Sequence, residues 1–280
     1  MKRMSPRITQ RIAVTFLWGM TLTTVGVLMY IILYILVNGL PYLSWEFLSK
    51  APESMGRKGG IFPMIVGTFM VAGLAVIIAA PLGVATAVYL TEYTRESRMT
   101  FFIRFGADCL AGIPSIIYGL FGFVFFGIAL GMGLSVISGA LTLALMVLPT
   151  IIRTAEEAIR AVPYGYREAS YGLGSTRWQM VTRVVLPSAL PGICTGIVLS
   201  LGRSISETAA VMLTAGSALR LPASLFDSSR TLALHFYILS REGLSMENAY
   251  ATASVLILII LALNGLAYWL MNRLIRRTGR

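Results

Sequence analysis

Arg203 and Glu207 stand four residues apart in a stretch, residues 188–218, that otherwise carries no charge. On a helix that spacing puts both side chains on one face, a turn apart. Ser200, Ser204 and Thr214 fall on or near the same face. If the stretch crosses a bilayer, each charge costs on the order of 3 kcal/mol, and leucines would fill the space more cheaply. Two readings account for a charged pair held there. In one, the arginine fork and the hydroxyls line an anion path, because guanidinium and O–H groups both donate to oxyanion oxygens. Glu207 then holds Arg203 and offsets its charge while the path is empty. In the other, the pair is a structural bridge between helices. Arg153, at the end of another apolar stretch, is either an exit-side anion contact or an arginine reaching the interface along its own stem.

Other chemistries lack raw material. The 280 residues include one histidine, His235, and two cysteines, Cys109 and Cys194, both in or beside apolar segments. This leaves Cys/His metal clusters and Ser-His-Asp catalysis almost no raw material. There is no G-x-S-x-G elbow and no phosphate-cradling G-x-x-x-x-G-K-[ST] loop. The chain is therefore expected to bind no cofactor and to be no enzyme. Any ATP that drives it is bound by another chain.

The elements that must position these residues follow from composition. Hydrophobic residues make up 56% and charged residues 12%, half the charge of an ordinary soluble domain at about 25%. That makes the chain an integral membrane protein. Six spans are expected, near Ile12–Val37, Ile61–Thr91, Asp108–Leu130, Leu134–Ile152, Ser188–Ala218 and Ala249–Met271. Pro63 and Pro81 should begin and kink the second, Glu92–Arg104 should be a charged loop, and Gly131-Met132-Gly133 a tight turn. The N-terminal run is too long for a signal peptide core and is read as a retained span. Sixteen of the 23 Lys and Arg residues fall on the side of both termini and six on the other, with Arg203 between. The positive-inside rule then makes both termini cytoplasmic. The net charge of +11 is thus a topology signal directed at membrane lipid, and no nucleic acid is implied.

Between spans four and five, Arg153–Pro187 is polar and interrupted by Pro163 and Gly174. Tyr164–Leu173 is expected to form a helix capped by a left-handed Gly174. Ser175 should start a second helix that shows Trp178, Val181 and Val185 at helical spacing and ends at Pro187. Such a helix–turn–helix knob can take force from a partner. Its sequence resembles the EAA loop of ABC-importer permeases: Glu168-Ala169-Ser170, then Gly174, then Val184-Val185-Leu186-Pro187. Ser170 and Val184 depart from the pattern conservatively. The resemblance implies that Glu168, Ala169, Ser170, Gly174, Leu186 and Pro187 form the docking segment for an ATPase subunit.

Further motifs are similar to the phosphate importers within that family. They are Gly59-Gly60-Ile61-Phe62-Pro63, residues 113–122 (IPSIIYGLFG), Arg153-Thr154-Ala155-Glu156-Glu157, Glu207-Thr208-Ala209 and residues 231–239 (TLALHFYIL). The chain resembles the PstA-type subunit most. The implied fold is an all-α, six-helix type I importer permease. Its parts are 1–60 (tail, first span and outer loop), 61–272 (transmembrane domain, with the EAA loop at 164–187) and a basic cytoplasmic tail at 273–280. The implied partners are a homologous PstC-type permease, a dimer of ATP-binding subunits and an extracytoplasmic phosphate-binding protein, in a prokaryotic inner membrane. The implied substrate path runs through Arg203, Glu207, Ser204 and Arg153. Sulfate or molybdate import, or an ATP-independent anion channel, are the alternatives.

Overall fold

The computed structural model describes residues 6–95 and 97–278. It is almost wholly helical. Among the described residues, five helices are long and apolar enough to cross a membrane, and a bent pair of helices is a sixth candidate span.

The first span, α1 (Pro6–Gly39), is exposed along most of its length, as an all-round apolar helix in lipid must be. The segment after it is more ordered than a loop. It contains a short helix, α2 (Trp45–Ser49), and a two-stranded antiparallel hairpin, β1 (Pro52–Glu53) with β2 (Lys58–Gly59). The second span, α3 (Phe62–Val88), starts with a proline in its first turn and ends in a π-helical turn, Tyr89–Tyr93. Pro81 lies inside it.

The expected charged loop at Glu92–Arg104 is largely helix. Ser97 caps α4 (Arg98–Ala111) by accepting from the Thr100 N–H. Span three is consequently not a straight rod from Asp108. It breaks at Gly112-Ile113-Pro114 and continues as α5 (Ser115–Gly122) with a π-helical extension to Ala129, bent by 100° from α4. Pro114 disfavours helical geometry at the residue before it, which sets the break. The turn at residues 131–133 forms as expected, with both glycines at positive φ. Span four, α6 (Val136–Arg160), runs beyond Ile152, so Arg153, Glu156 and Arg160 lie on helix.

The knob is α7 (Tyr164–Gly172) and α8 (Arg177–Met180). Thr176, rather than Ser175, caps α8, in a reciprocal box with Gln179. Pro187 does not end the second helix. A π-helical stretch, Val181–Val185, precedes it and runs directly into α9 (Leu186–Ser206), the wider π turn accommodating the proline's missing N–H. Arg177 to Ser206 is therefore one continuous helical path. Span five then breaks at Glu207-Thr208 and resumes as α10 (Ala209–Thr214). The remaining elements are α11 (Leu232–Arg241) and α12 (Met246–Thr278).

The core joins α3, α5, α6 and α10. Val71, Ala75 and Ala79 pack on Val136, Leu143, Val147 and Ile151, with Tyr118, Ala210 and Val211 closing the cluster. Close approach depends on small residues. A Cβ at Gly122 would collide with Thr142 and Thr214, and one at Gly196 with Thr154. Contact of α1 with this body is confined to its C-terminal part, where Ser254 of α12 donates to the Ile35 carbonyl (3.2 Å) and Tyr34 meets Tyr250 edge-on.

Candidate functional site

The break in span five decides the geometry of Arg203 and Glu207. Arg203 occupies the last turn of α9, where a cation complements the helix C-terminus, and its side chain is exposed. Glu207 has left the helix, at φ −72° and ψ 133°. Its Oε1 accepts from the Ala210 N–H at 3.2 Å, which starts α10. The two residues are thus not neighbours on one helical face, and no ion pair joins them. Ser200 and Ser204 also part from Arg203: both are buried within the chain, and neither hydroxyl has a hydrogen-bond partner. In this conformation the expected single polar stripe is two surfaces, with Arg203 outward and the serines inward. The sequence spacing did not reveal the break, although Glu207-Thr208 reads in retrospect as a carboxylate–hydroxyl pair opening a new helix.

Arg153 is engaged. Its Nη2 lies 2.5 Å from Asp108 Oδ1, with both side chains about half exposed. Beside it, the mostly buried Glu156 accepts from Arg160 Nη2 (2.8 Å), and its Oε1 forms an ion pair with Arg104, 2.9 Å from Nε. The Arg153–Asp108 and Arg104–Glu156 pairs fasten α4 to the knob end of α6.

The motif residues of the knob are placed as follows. Glu168 and Ala169 are exposed on α7, while Ser170 is buried and pairs its hydroxyl with Ser175 (2.6 Å). Gly174 has φ +80°, the left-handed turn that fixes the angle between α7 and α8. Leu186 packs against the apolar cluster beneath the knob, formed by Ala155, Ile159, Met180, Val181 and Val185, and Pro187 is exposed.

Residues 79–280 match the family described as "Binding-protein-dependent transport system inner membrane component". The chain belongs to this family. It is an ABC-importer permease subunit, a multi-pass membrane protein rather than an enzyme. It is 34% identical to the "Probable ABC transporter permease protein YqgI" of Bacillus subtilis over 95% of this chain and 96% of that one. It is 38% identical to the "Phosphate transport system permease protein PstA 1" of Mycobacterium tuberculosis H37Rv over 74% of this chain and 68% of that one. Among solved structures, a bacterial alginate ABC transporter aligns with TM-score 0.68 at 16% identity, covering 98% of this permease and 99% of the aligned chain. The MetNI methionine transporter aligns with TM-score 0.59 at 21% identity, covering 86% and 96%. At those identities the likeness is one of fold.

His235 lies at the end of the permease opposite the knob. It is buried, with Nδ1 3.4 Å from Nη1 of buried Arg230, whose Nε donates to the Ser217 carbonyl (3.0 Å). Asn248 pins the β1–β2 hairpin nearby through the carbonyls of Gly56 (2.9 Å) and Arg57 (3.1 Å). Burial, and then the Arg230 charge, push the His235 pKa down to about 3. Between an unfolded value near 6.5 and that folded value, the unfolded chain binds a proton that the folded chain refuses. His235 therefore costs nothing above about pH 6.5 and lowers stability as pH falls below it, by up to about 1.4 kcal/mol per pH unit. Thermal unfolding of the purified chain at pH 7.5 and pH 5.0 should show this loss. His235→Gln should reduce the difference between the two pH values; an unchanged difference would refute the assignment.

Proposed function

We propose that this chain is the PstA-type permease subunit of an ATP-driven importer of inorganic phosphate. It forms the translocation path with a PstC-type permease. A dimer of ATP-binding subunits docks on the α7–α8 knob, and an extracytoplasmic phosphate-binding protein presents substrate at the opposite end. Both termini are then cytoplasmic. The observation that carries the coupling role is the knob itself: an exposed Glu168 on a short helix whose partner helix runs without interruption into span five. The phosphate assignment is supported by the relatives named as phosphate permeases and by an exposed arginine beside the break in that same span. Arg203 is the anion contact. Glu207 sets the break that presents it, and Ser204 backs the same turn from within. Arg153 belongs to the exit side only when its pair with Asp108 opens.

ATP binding draws the knobs of the two permeases together, and the attached spans rock to expose the path on one side or the other. A binding site in such a path should be weak, since the ion must leave, and a single arginine fork per subunit meets that requirement. Affinity purification of the chain from its native membrane should bring down an ATPase, a second permease and a phosphate-binding protein, and the complex should take up radiolabelled phosphate with ATP. Sulfate or molybdate competing as well as phosphate would replace the phosphate assignment with another oxyanion. Passive anion flux without any ATPase would make the protein a channel.

A further inference from the structure

The coupling loop is joined to the bundle by more than its two chain ends. Arg167, directly before Glu168, turns inward from α7. Its Nε and Nη2 donate to Glu92 Oε1 at 3.1 and 2.7 Å. Its Nη1 donates to the Val162 carbonyl at 2.7 Å, and Nη2 also donates to the Ile159 carbonyl at 3.0 Å. The pair is well buried, at 12% exposure for the arginine side chain and 7% for the glutamate. Glu92 lies on the π-helical turn that ends span two. Ile159 lies in the last turn of α6, where its carbonyl also accepts from the Val162 N–H (3.3 Å), and Val162 lies just beyond it. One guanidinium therefore fastens α7 to the ends of spans two and four together.

Three observations separate this pair from an ordinary surface bridge. It joins residues 75 positions apart. Within α7 the only other inward anchor is Ser170, the one residue of that helix that is fully buried. The second knob helix reaches the same π-helical turn, where the Arg177 guanidinium lies 5.8 Å from the centroid of the Tyr93 ring. Apolar residues would fill such a site more stably. A planar five-donor fork instead fixes direction as well as separation, which is what a lever needs and a greasy contact lacks.

We propose that Arg167 and Glu92 are positioning residues for energy coupling, binding α7, α3 and α6 into one body. A displacement imposed on the knob then reaches spans two and four through this tether and span five through the continuous helix. This rests on the reading of the chain as an ATP-coupled phosphate permease. The test uses the complete transporter in liposomes, with radiolabelled inorganic phosphate inside and ATP hydrolysis measured on the same sample. Glu92→Gln keeps the shape and removes the charge, and it should lower phosphate carried per ATP hydrolysed at least fivefold. Arg167→Lys keeps the charge but loses the fork to the α6 carbonyls, and it should give a smaller fall in the same ratio. A role confined to stability would lower the yield of complex and leave the ratio of surviving complexes unchanged, and that result overturns the proposal. If Glu92→Gln does not assemble, Glu92→Asp and Arg167→Lys decide, and an unchanged ratio in both overturns it. A wild-type complex without ATP-driven phosphate uptake overturns the parent reading and the tether with it.

Discussion

Arg203→Leu should reduce phosphate uptake by ten- to a hundredfold while the chain still inserts and assembles. The magnitude is that of one lost charge-assisted contact to an oxyanion, about 1.5–3 kcal/mol. The structure separates this effect from stability. Arg203 is exposed, forms no ion pair with Glu207, and lies in the last turn of a helix whose core-facing residues are others, among them Ile193, Gly196 and Ser200. Within this chain its removal costs only the favourable meeting of a cation with a helix C-terminus, on the order of 0.5 kcal/mol. Arg203→Lys should fall between wild type and leucine, since an ammonium supplies charge without the fork. Uptake assayed in membranes with matched amounts of assembled complex reads the effect. Loss of assembly with normal uptake per remaining complex would instead make Arg203 a bridge to the second permease. Glu207 should respond differently. Gln keeps an oxygen for the Ala210 N–H and preserves the break, whereas Ala removes the group that starts α10, so Glu207→Ala should do more damage than Glu207→Gln.

The divided span shows where sequence reasoning stopped. Hydropathy located the five long apolar helices and the apolar half of the bent pair, because crossing lipid demands length and apolarity and little else. It could not distinguish a straight helix from a broken one, since Glu207-Thr208 and Gly112-Ile113-Pro114 interrupt the backbone within stretches whose mean hydropathy stays high. Pro187 misled in the opposite direction: a proline that reads as a terminator begins the helix that continues the knob. The knob was legible because its residues are local and patterned, with Glu168, Gly174 and Leu186-Pro187 at fixed offsets. The tether was not. Arg167 is one of several arginines in a basic loop, Glu92 lies 75 residues earlier, and only tertiary packing reveals that they meet. The inward placement of Ser204 was hidden for a related reason. Helical spacing gives a residue's angle around its axis, but which angle faces the partner helices is set by packing.

Glu168→Lys should abolish most ATP-driven uptake, by tenfold or more, and leave the isolated chain as stable as wild type. Glu168 is exposed and makes no hydrogen bond or ion pair to the described residues of its own chain, so its substitution has no internal contact to break. Surface changes of this kind move stability by no more than about 0.5 kcal/mol. Any large effect must then arise in a partner, where reversing a charge in a closely fitted contact costs several kcal/mol. Gly174 supplies the matching control on geometry. The space around it is open, so an added side chain meets nothing, yet its φ of +80° is one that branched residues resist. Gly174→Asn should therefore transport almost normally, because asparagine tolerates the left-handed region. Gly174→Val should strain or re-aim the turn between α7 and α8 and uncouple hydrolysis from uptake. Uptake and ATP hydrolysis measured together on the purified complex distinguish the cases. Should Val and Asn behave alike at position 174, the knob's angle does not govern coupling; should Glu168→Lys transport normally in a fully assembled complex, the docking surface lies elsewhere on the chain.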